Sequence, residues 1–573
     1  MNVCRAILAM LDDYDVTDVF GLPGETTLAL YREWLACGGP AYHLCRDERS
    51  AVFMADGYAK ATGKVGVCEG PSVGATHMVP GVIEAFKGCT PLVVLTSDVP
   101  LAAEKKNMLT GFDQKALFEG ICKESLTAHE AGEVPHLLRR AFRVASTGRP
   151  GPVHLRLPSD VLEGELDDAQ VWSQPRFGSV PSCPFRPDDA SLAEAASLLE
   201  GARYPLMICG QGALASRAWK EVALLAEALA MPVGTTINGK GILAETHPLS
   251  IGVIGARGGR EWANRFVAEA DVILFVGSST DSAGTAGWTL PSPRSGQRFI
   301  QIDAAAEELG GNYDALPLFG DAALTLAALL EALDGAVPPE RGDWVASIAQ
   351  GWRNQEARIG AWETRSGCAL SSLAVVRALA ELPEETFFAV DPGLSAVYSA
   401  AFLRLAKAGR FLAYNFAMGA LGYAIPAALG ARFGVPSSRP VVALVGDGSF
   451  GFAAGELETA ARLGTQVLFI VFDNKAFGWI RGTEFVQTGK DLEPAFDGFT
   501  SFRSIDYVKI AEGFGLQAWR AEKASDLKEL LRQALAVPGP TLLAVPVEVQ
   551  DHLLPPVPGW ADCARKRGME TLY

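Results

Sequence analysis

The chain has 573 residues, 49% hydrophobic and 20% charged, with a formal net charge of −16. That is the composition of a globular protein too long for one core, and at about 150 residues per domain three or four domains are expected. The acidic balance argues against a nucleic-acid partner, because phosphate backbones are held by basic footprints.

The opening Met1-Asn2-Val3-Cys4-Arg5 runs into an amphipathic stretch carrying Asp12, Asp13 and Asp15, which is unlike the apolar core of a secretion signal. No run of about 18 apolar residues occurs, so no membrane span is expected and a cytoplasmic location is. Ten cysteines are scattered from Cys4 to Cys563 without a Cys-x-x-Cys pair, a pattern that favours free thiols over disulfides or a zinc site.

Short apolar runs alternate with helical patterns along the whole chain. Pro91–Thr96, Val272–Val276 and Val467–Val471 are continuous apolar strands, the pattern of parallel sheets covered on both faces. A Pro/Ser-rich stretch from Gln174 to Pro187 reads as a linker, as does the polar region from Pro338-Pro339-Glu340-Arg341-Gly342 to about Ser366. The expected blocks are 1–172, 188–335 and 366–550, with a C-terminal tail at 551–573. The fold class predicted is α/β, with three doubly wound parallel-sheet domains. No short repeat is visible, so any repetition lies at the level of the fold.

The most informative segment is Val441 to Trp479. A strand at Val441–Val445 is followed by a turn at Gly446-Asp447-Gly448-Ser449-Phe450, then a helix with Glu456, Leu457, Glu458 and Ala460 in its first turns. A second strand ends at Asp473-Asn474-Lys475-Ala476. Asp447 thus lies at the carboxyl end of a strand, where ligands of open α/β sheets bind. Gly446 and Gly448 let the backbone approach an anion, and a helix N-terminus adds a field favourable to phosphate. Mg²⁺ takes a few hard oxygens together with water and substrate phosphates. Asp447, Asn474 and a backbone carbonyl near Ala476 would supply the protein's share. A bare Gly-Asp-Gly is common in surface turns; the strand, helix, strand and asparagine around it carry the weight.

This spacing resembles the signature of thiamine diphosphate enzymes, in which the second residue of an Asn pair is the usual ligand; here Asp473 stands first and Asn474 second. Such a cofactor needs a carboxylic acid at its pyrimidine N1′. The candidate is Glu48, which opens a helix continuing through Met54-Ala55-Asp56-Gly57-Tyr58-Ala59-Lys60-Ala61-Thr62-Gly63. Taken alone, Glu48 reads rather as a first-turn carboxylate favoured by the helix dipole. The helix is similar to that of the family of acetolactate synthases, pyruvate oxidases, benzoylformate decarboxylases and related 2-oxo-acid enzymes. Further similar segments are Val19-Phe20-Gly21-Leu22-Pro23-Gly24, Gly74-Ala75-Thr76, Ala145–Val153 and Glu245–Ser250.

The resemblance implies pyrimidine-binding, middle and diphosphate-binding domains, and a homodimer at least, usually a homotetramer, with the active site shared between chains. It implies that Pro23, Gly24, Ser449 and Leu421 contact the cofactor, Leu421 as the apolar prop beneath its bent form. It places Glu25, His77 and Gln114 near the reacting centre, and Trp479 and Arg481 on a helix that shapes the substrate pocket. Arg481 has the fork geometry for a carboxylate. As residues alone, Glu25 reads also as a solvated loop carboxylate, His77 as a structural histidine, and Arg481 as a surface arginine. The flavin-binding members carry Arg-Phe-Asp-Asp-Arg after a strand resembling Val272–Val276, where this chain has Gly277-Ser278-Ser279-Thr280-Asp281, and that argues against FAD.

The function expected is decarboxylation of a 2-oxo acid with thiamine diphosphate and Mg²⁺, followed by protonation of the resulting enamine or its ligation to an aldehyde or ketone acceptor. The alternatives are an FAD-dependent oxidase of pyruvate type and a non-catalytic thiamine-diphosphate-binding subunit.

Overall fold

Three six-stranded sheets carry the chain. The first contains β1 (Asp18–Gly21), β2 (Ala41–Leu44), β3 (Gly66–Gly70), β4 (Leu92–Asp98), β5 (Glu124–Thr127) and β6 (Pro152–Pro158) in the order β2-β1-β3-β4-β6-β5. The second contains β7 (Pro205–Cys209), β8 (Val233–Thr235), β9 (Ser250–Val253), β10 (Val272–Val276), β11 (Arg298–Asp303) and β12 (Ala315–Phe319) in the order β12-β11-β10-β7-β8-β9. The third contains β13 (Phe387–Val390), β14 (Leu412–Tyr414), β15 (Val441–Gly446), β16 (Leu468–Asp473), β17 (Gln517–Arg520) and β18 (Thr541–Pro546) in the order β14-β13-β15-β16-β18-β17. The first and third sheets are wound identically, which is the fold-level repetition anticipated. Pairing is parallel, and β4, β10 and β16 are buried along their whole length, as their apolar runs Leu92–Leu95, Val272–Val276 and Leu468–Phe472 require. The α/β class with three doubly wound sheets is therefore borne out.

The computed structural model describes residues 1–333, 341–366, 370–488, 496–547 and 554–573. By mutual contact these group into two compact units. One is Met1–Cys183 with Asn415–Val441 and Phe452–Val467; the other is Pro184–Tyr414 with Val442–Gly451 and Leu468–Tyr573.

In the first unit the helix Glu48–Thr62 is buried on nearly every face. Asp47 caps its start, accepting from the Arg49 N–H at 2.8 Å, and Gly63 ends it in the left-handed region at φ 78°. It crosses the helix Ala424–Gly434 backbone to backbone. A Cβ on Gly57 would lie 2.1 Å from the Ala427 carbonyl oxygen, and one on Gly430 would lie 1.9 Å from that of Met54. Glycine is required at both points, because carbonyl backbones cannot yield as a side chain can. Gly430→Ala is expected to destabilise the protein by about 1–3 kcal/mol or more, as for other overpacked cores, read from the urea or thermal midpoint. An unchanged midpoint would refute the close crossing.

In the second unit the sequence reading of a linker up to Ser366 is corrected. Gly342–Ser366 is a 25-residue helix. Trp344, Ile348, Gln355, Ile359 and Trp362 are buried along one stripe at helical spacing, which the polar composition concealed. Trp344 Nε1 donates to the Pro205 carbonyl at 3.1 Å and Trp352 Nε1 to that of Ser250 at 2.9 Å, tying the helix to the second sheet. Pro338–Glu340 of that linker, and Cys368, lie outside the described residues. The tail is packed rather than loose: Leu554, Val557, Trp560 and Ala564 form a cluster with Trp479 and Phe485. The described cysteines form no disulfide with one another, and among the described residues no helix is long and apolar enough to cross a membrane.

Candidate active site

In the second unit, β15 and β16 are neighbours with Gly446 opposite Phe472, so Asp447 and Asn474 leave the sheet side by side at its carboxyl edge. The Gly-Asp-Gly segment is not a free turn: Asp447 begins a short helix, Asp447–Ala453, directly after the strand, and Glu456–Leu463 is a separate helix. Asp447 Oδ1 accepts from the Gly448 N–H at 2.7 Å, while Oδ2 is buried with no hydrogen-bond partner. Burial pushes the Asp447 carboxyl up to about 6, and the charge of Asp473 acts the same way, against the opposing N–H groups of Gly448, Lys475 and Ala476. Asn474 Oδ1 accepts from the Ala476 N–H at 3.0 Å. Between them Lys475 takes a left-handed backbone, φ 60°, held by the Phe502 N–H donating to its carbonyl at 2.7 Å.

The glycines here divide by task. A Cβ on Gly448 would lie 2.7 Å from the Phe477 ring, and one on Gly478 would lie 2.5 Å from Asn474 Nδ2. At Gly446 a Cβ would meet nothing within 4 Å, so the space over this turn is open. Ser449 is buried beside it.

These residues fit Mg²⁺. An orphaned buried carboxylate oxygen on Asp447, a spare lone pair on Asn474 Oδ1 and the Ala476 carbonyl, which already accepts from the Gly478 N–H at 2.8 Å, form a sparse hard-oxygen set. Among the described residues no three His, Cys, Asp or Glu converge anywhere, and a magnesium ion completed by water and phosphate needs no such cluster.

In the first unit the winding reverses between β1 and β3, the position at which doubly wound sheets open a crevice. Glu48 is buried there. Its Oε2 lies 2.9 Å from His77 Nδ1, and a Cβ on Gly74 would lie 2.4 Å from its Oε1, so the carboxyl rests on the bare Gly74 backbone. His77 itself is exposed, with 59% of its side chain accessible. Gly24 abuts Pro71, whose Cβ is 2.3 Å from where a Gly24 side chain would begin, and Pro23 and Glu25 are exposed on the same loop.

Leu421 is half-buried between two left-handed glycines, Gly419 at φ 86° and Gly422 at φ 85°. Its loop is clamped from both sides. The buried Glu84 carboxylate accepts from the N–H groups of Ala417 at 3.2 Å, Met418 at 2.7 Å and Gly419 at 3.2 Å. Tyr423 donates to Asp56 at 2.6 Å, and Asp56 also pairs with Lys60 at 2.8 Å.

Two expected pocket residues are engaged elsewhere. Gln114 is fully buried; its oxygen accepts from Thr96 at 2.5 Å and its amide donates to the Ser97 carbonyl at 3.1 Å, so its polar ends serve the first sheet. Arg481 pairs with Asp497 and donates to Ser501 Oγ at 2.8 Å. Trp479 packs against Trp560 with ring centroids 5.0 Å apart, under the Arg257 guanidinium at 4.6 Å. Sequence reasoning missed Glu69 and Glu84. The available signal was a lone carboxylate in an otherwise apolar strand, Gly66-Val67-Cys68-Glu69-Gly70, and another in an apolar helix.

Such a site defines a class: an α/β enzyme built to hold a phosphorylated cofactor at the carboxyl edges of its sheets. Family models for thiamine pyrophosphate enzymes match the N-terminal TPP-binding domain at residues 1–117, the central domain at 192–329 and the C-terminal TPP-binding domain at 391–545. The chain belongs to the family of thiamine-diphosphate-dependent 2-oxo-acid enzymes. It is 30% identical to a probable acetolactate synthase large subunit of Methanococcus aeolicus, over 98% of this chain and 94% of that one. It is 35% identical to a probable 2-ketoarginine decarboxylase of Pseudomonas aeruginosa, over 94% and 93%. Against the acetolactate synthase isozyme 3 large subunit of Escherichia coli the identity is 29%, over 93% and 92%.

Proposed function

We propose that the protein uses thiamine diphosphate and Mg²⁺ to remove CO₂ from a 2-oxo acid, and then protonates the remaining fragment or joins it to an aldehyde or ketone. The observation that carries this reading is the buried Asp447 carboxylate with an unused oxygen beside Asn474, at the edge of a sheet in a thiamine-diphosphate family. When bound, thiamine diphosphate supplies an electron sink for the pair left behind as CO₂ departs.

The chain's own residues do the rest. Asp447, Asn474 and the Ala476 carbonyl hold the metal, and Gly446, Gly448 and Ser449 admit the diphosphate. Glu48 keeps a proton at the pyrimidine ring nitrogen, and His77 fixes the rotamer of Glu48 through its 2.9 Å contact. Pro23, Gly24 and Leu421 shape the cofactor's seat. Glu25, opening the short helical turn Glu25–Thr27 after β1, and His77, in the first turn of the helix Ala75–Lys87, are exposed acid–base side chains, which supports protonation to an aldehyde. The acetolactate synthases among the relatives support ligation as the second outcome. In this reading Gln114 supports the first sheet beneath the site, while Trp479 and Arg481 belong to the helix of the second unit that shapes the substrate pocket. The working form is a cytoplasmic homodimer or homotetramer whose active sites are shared between chains, with domains at 1–172, 188–335 and 366–550.

The test is incubation with Mg²⁺, thiamine diphosphate and a panel of 2-oxo acids, with CO₂ and organic products identified. Release of CO₂ with an aldehyde or a ligated hydroxyketone is expected for at least one acid. No CO₂ from any acid, with the cofactor bound, would instead favour a non-catalytic subunit, and a flavin absorbance with oxygen consumption would favour an oxidase. Glu25→Gln is expected to change the ratio of aldehyde to ligated product while leaving cofactor affinity as it was. If neither ratio nor rate responds, Glu25 is only a loop residue.

A further inference from the structure

Glu84 is the one carboxylate of the helix Ala75–Lys87, and it is 0% exposed. His77, Gly81 and Glu84 stand four and three residues apart, so they form a single stripe along that helix. Each makes an attachment. His77 Nδ1 lies 2.9 Å from Glu48 Oε2. Gly81 seats the helix against Glu48–Thr62, since a Cβ there would lie 2.6 Å from Val52 Cβ. Glu84 accepts from the backbone N–H groups of Ala417, Met418 and Gly419. At 1.5 Å rise per residue, His77 and Glu84 are about 10 Å apart along the axis.

The loop that Glu84 grips is braced at further points. The buried Asn415 amide donates to the Ala420 carbonyl. Gly422 packs on Phe452, in the last turn of the helix that Asp447 opens: a Cβ on Gly422 would lie 2.7 Å from Phe452 Cβ. Arg49, the residue after Glu48, donates to the Phe452 carbonyl at 2.5 Å, with its guanidinium 5.6 Å from the Phe452 ring centre. The contacts close a ring, from Glu48 through His77, Glu84, the loop Ala417–Gly422 and Phe452 back to Arg49. For packing alone a carboxylate is a poor choice at position 84. Burial pushes the Glu84 carboxyl up, against the Lys60 charge and the N–H groups of Met418 and Ala417. An apolar side chain of similar volume would fill the space without that cost. What the carboxylate adds is a fixed position for three successive N–H groups, a backbone nest filled by the protein's own anion.

We propose that Glu84 is a positioning residue for the cofactor: it fixes the loop Ala417–Gly422 so that Leu421 is held in register with Glu48. This rests on the roles given to Leu421 and Glu48 above. One helix then sets both, with His77 steadying the acid at its first turn and Glu84 steadying the apolar prop two turns on.

The test has two parts. In the cofactor-free wild type, hydrogen–deuterium exchange is expected to find the peptide spanning Ala417 to Gly419 protected. Glu84→Gln is expected to speed its exchange and leave the helix Glu48–Thr62 as it was, because the amide keeps the volume but turns a donor toward a donor. Fast exchange of this peptide in the wild type, or no change in the variant, would overturn the clamp. The second part uses saturating Mg²⁺ and thiamine diphosphate, and reads the rate at which the bound cofactor exchanges its thiazolium C2 proton for deuterium. That rate is expected to fall roughly 10²-fold in Glu84→Gln and in Leu421→Ala, the usual loss for misplacing a reacting group by about an ångström. The double variant should be little slower than either single one, since both changes act through one side chain. Multiplied losses would overturn the proposal. So would a lowered melting midpoint with an unchanged C2 exchange rate, the mark of a merely structural Glu84. A wild type that binds no thiamine diphosphate would overturn the functional reading and this role with it, and the loop's exchange pattern would tell that failure apart from a failed clamp.

Discussion

Glu48→Gln is expected to fold normally and to lose turnover by roughly 10²–10⁴-fold, the usual worth of a positioned acid or base. The amide keeps the shape of the side chain. Gly74 leaves the residue one resting place, with Oε1 lying where a side chain on Gly74 would begin, so the rotamer should persist. What is lost is the ability to hold and return a proton at the pyrimidine nitrogen. Far-ultraviolet circular dichroism and the melting midpoint should match wild type while CO₂ release collapses. Turnover at the wild-type rate would remove Glu48 from the mechanism.

Asp447→Ala is expected to weaken thiamine diphosphate binding in the presence of Mg²⁺ by roughly 10²–10³-fold, the range for truncating one partner of a buried charge contact. Asp447 is the one carboxylate in the hard-oxygen set, and neither Asn474 nor the Ala476 carbonyl brings a charge to replace it. Its stability effect should run the other way. In the cofactor-free protein a buried carboxylate oxygen without a partner is a cost, and removing it should raise the metal-free melting temperature. A variant that is more stable when empty and blind to magnesium when titrated would separate a functional carboxylate from a structural one. Retained affinity with retained magnesium dependence would contradict the assignment.

The two largest features were readable because they rest on periodicity and spacing. Unbroken apolar runs such as Val272–Val276 announced parallel strands, and the distance from Asp447 to Asn474 is that of one strand–helix–strand unit. What stayed hidden depended on contacts that no local pattern encodes. The helix Gly342–Ser366 looked like a linker because its apolar stripe is narrow and carried largely by tryptophans amid charge. Gly446-Asp447-Gly448 read as a turn, yet Asp447 already starts a helix, since Gly448 is packed under the Phe477 ring from beyond the next strand. Gln114 and Arg481 have the right chemistry for a pocket, but partners brought by the fold, Thr96 with Ser97 and Asp497 with Ser501, occupy their polar groups. Glu69 and Glu84 appeared as isolated charges, and only the tertiary structure supplies the phenols and backbone N–H groups that make each carboxyl tolerable.

The most direct test is calorimetric titration of the purified wild-type protein with thiamine diphosphate, once with Mg²⁺ and once with a chelator. Saturable binding near one cofactor per chain is predicted with the metal, weakened by about tenfold or more without it. No saturable binding, or the same affinity in both solutions, would contradict the assignment of Asp447 and Asn474.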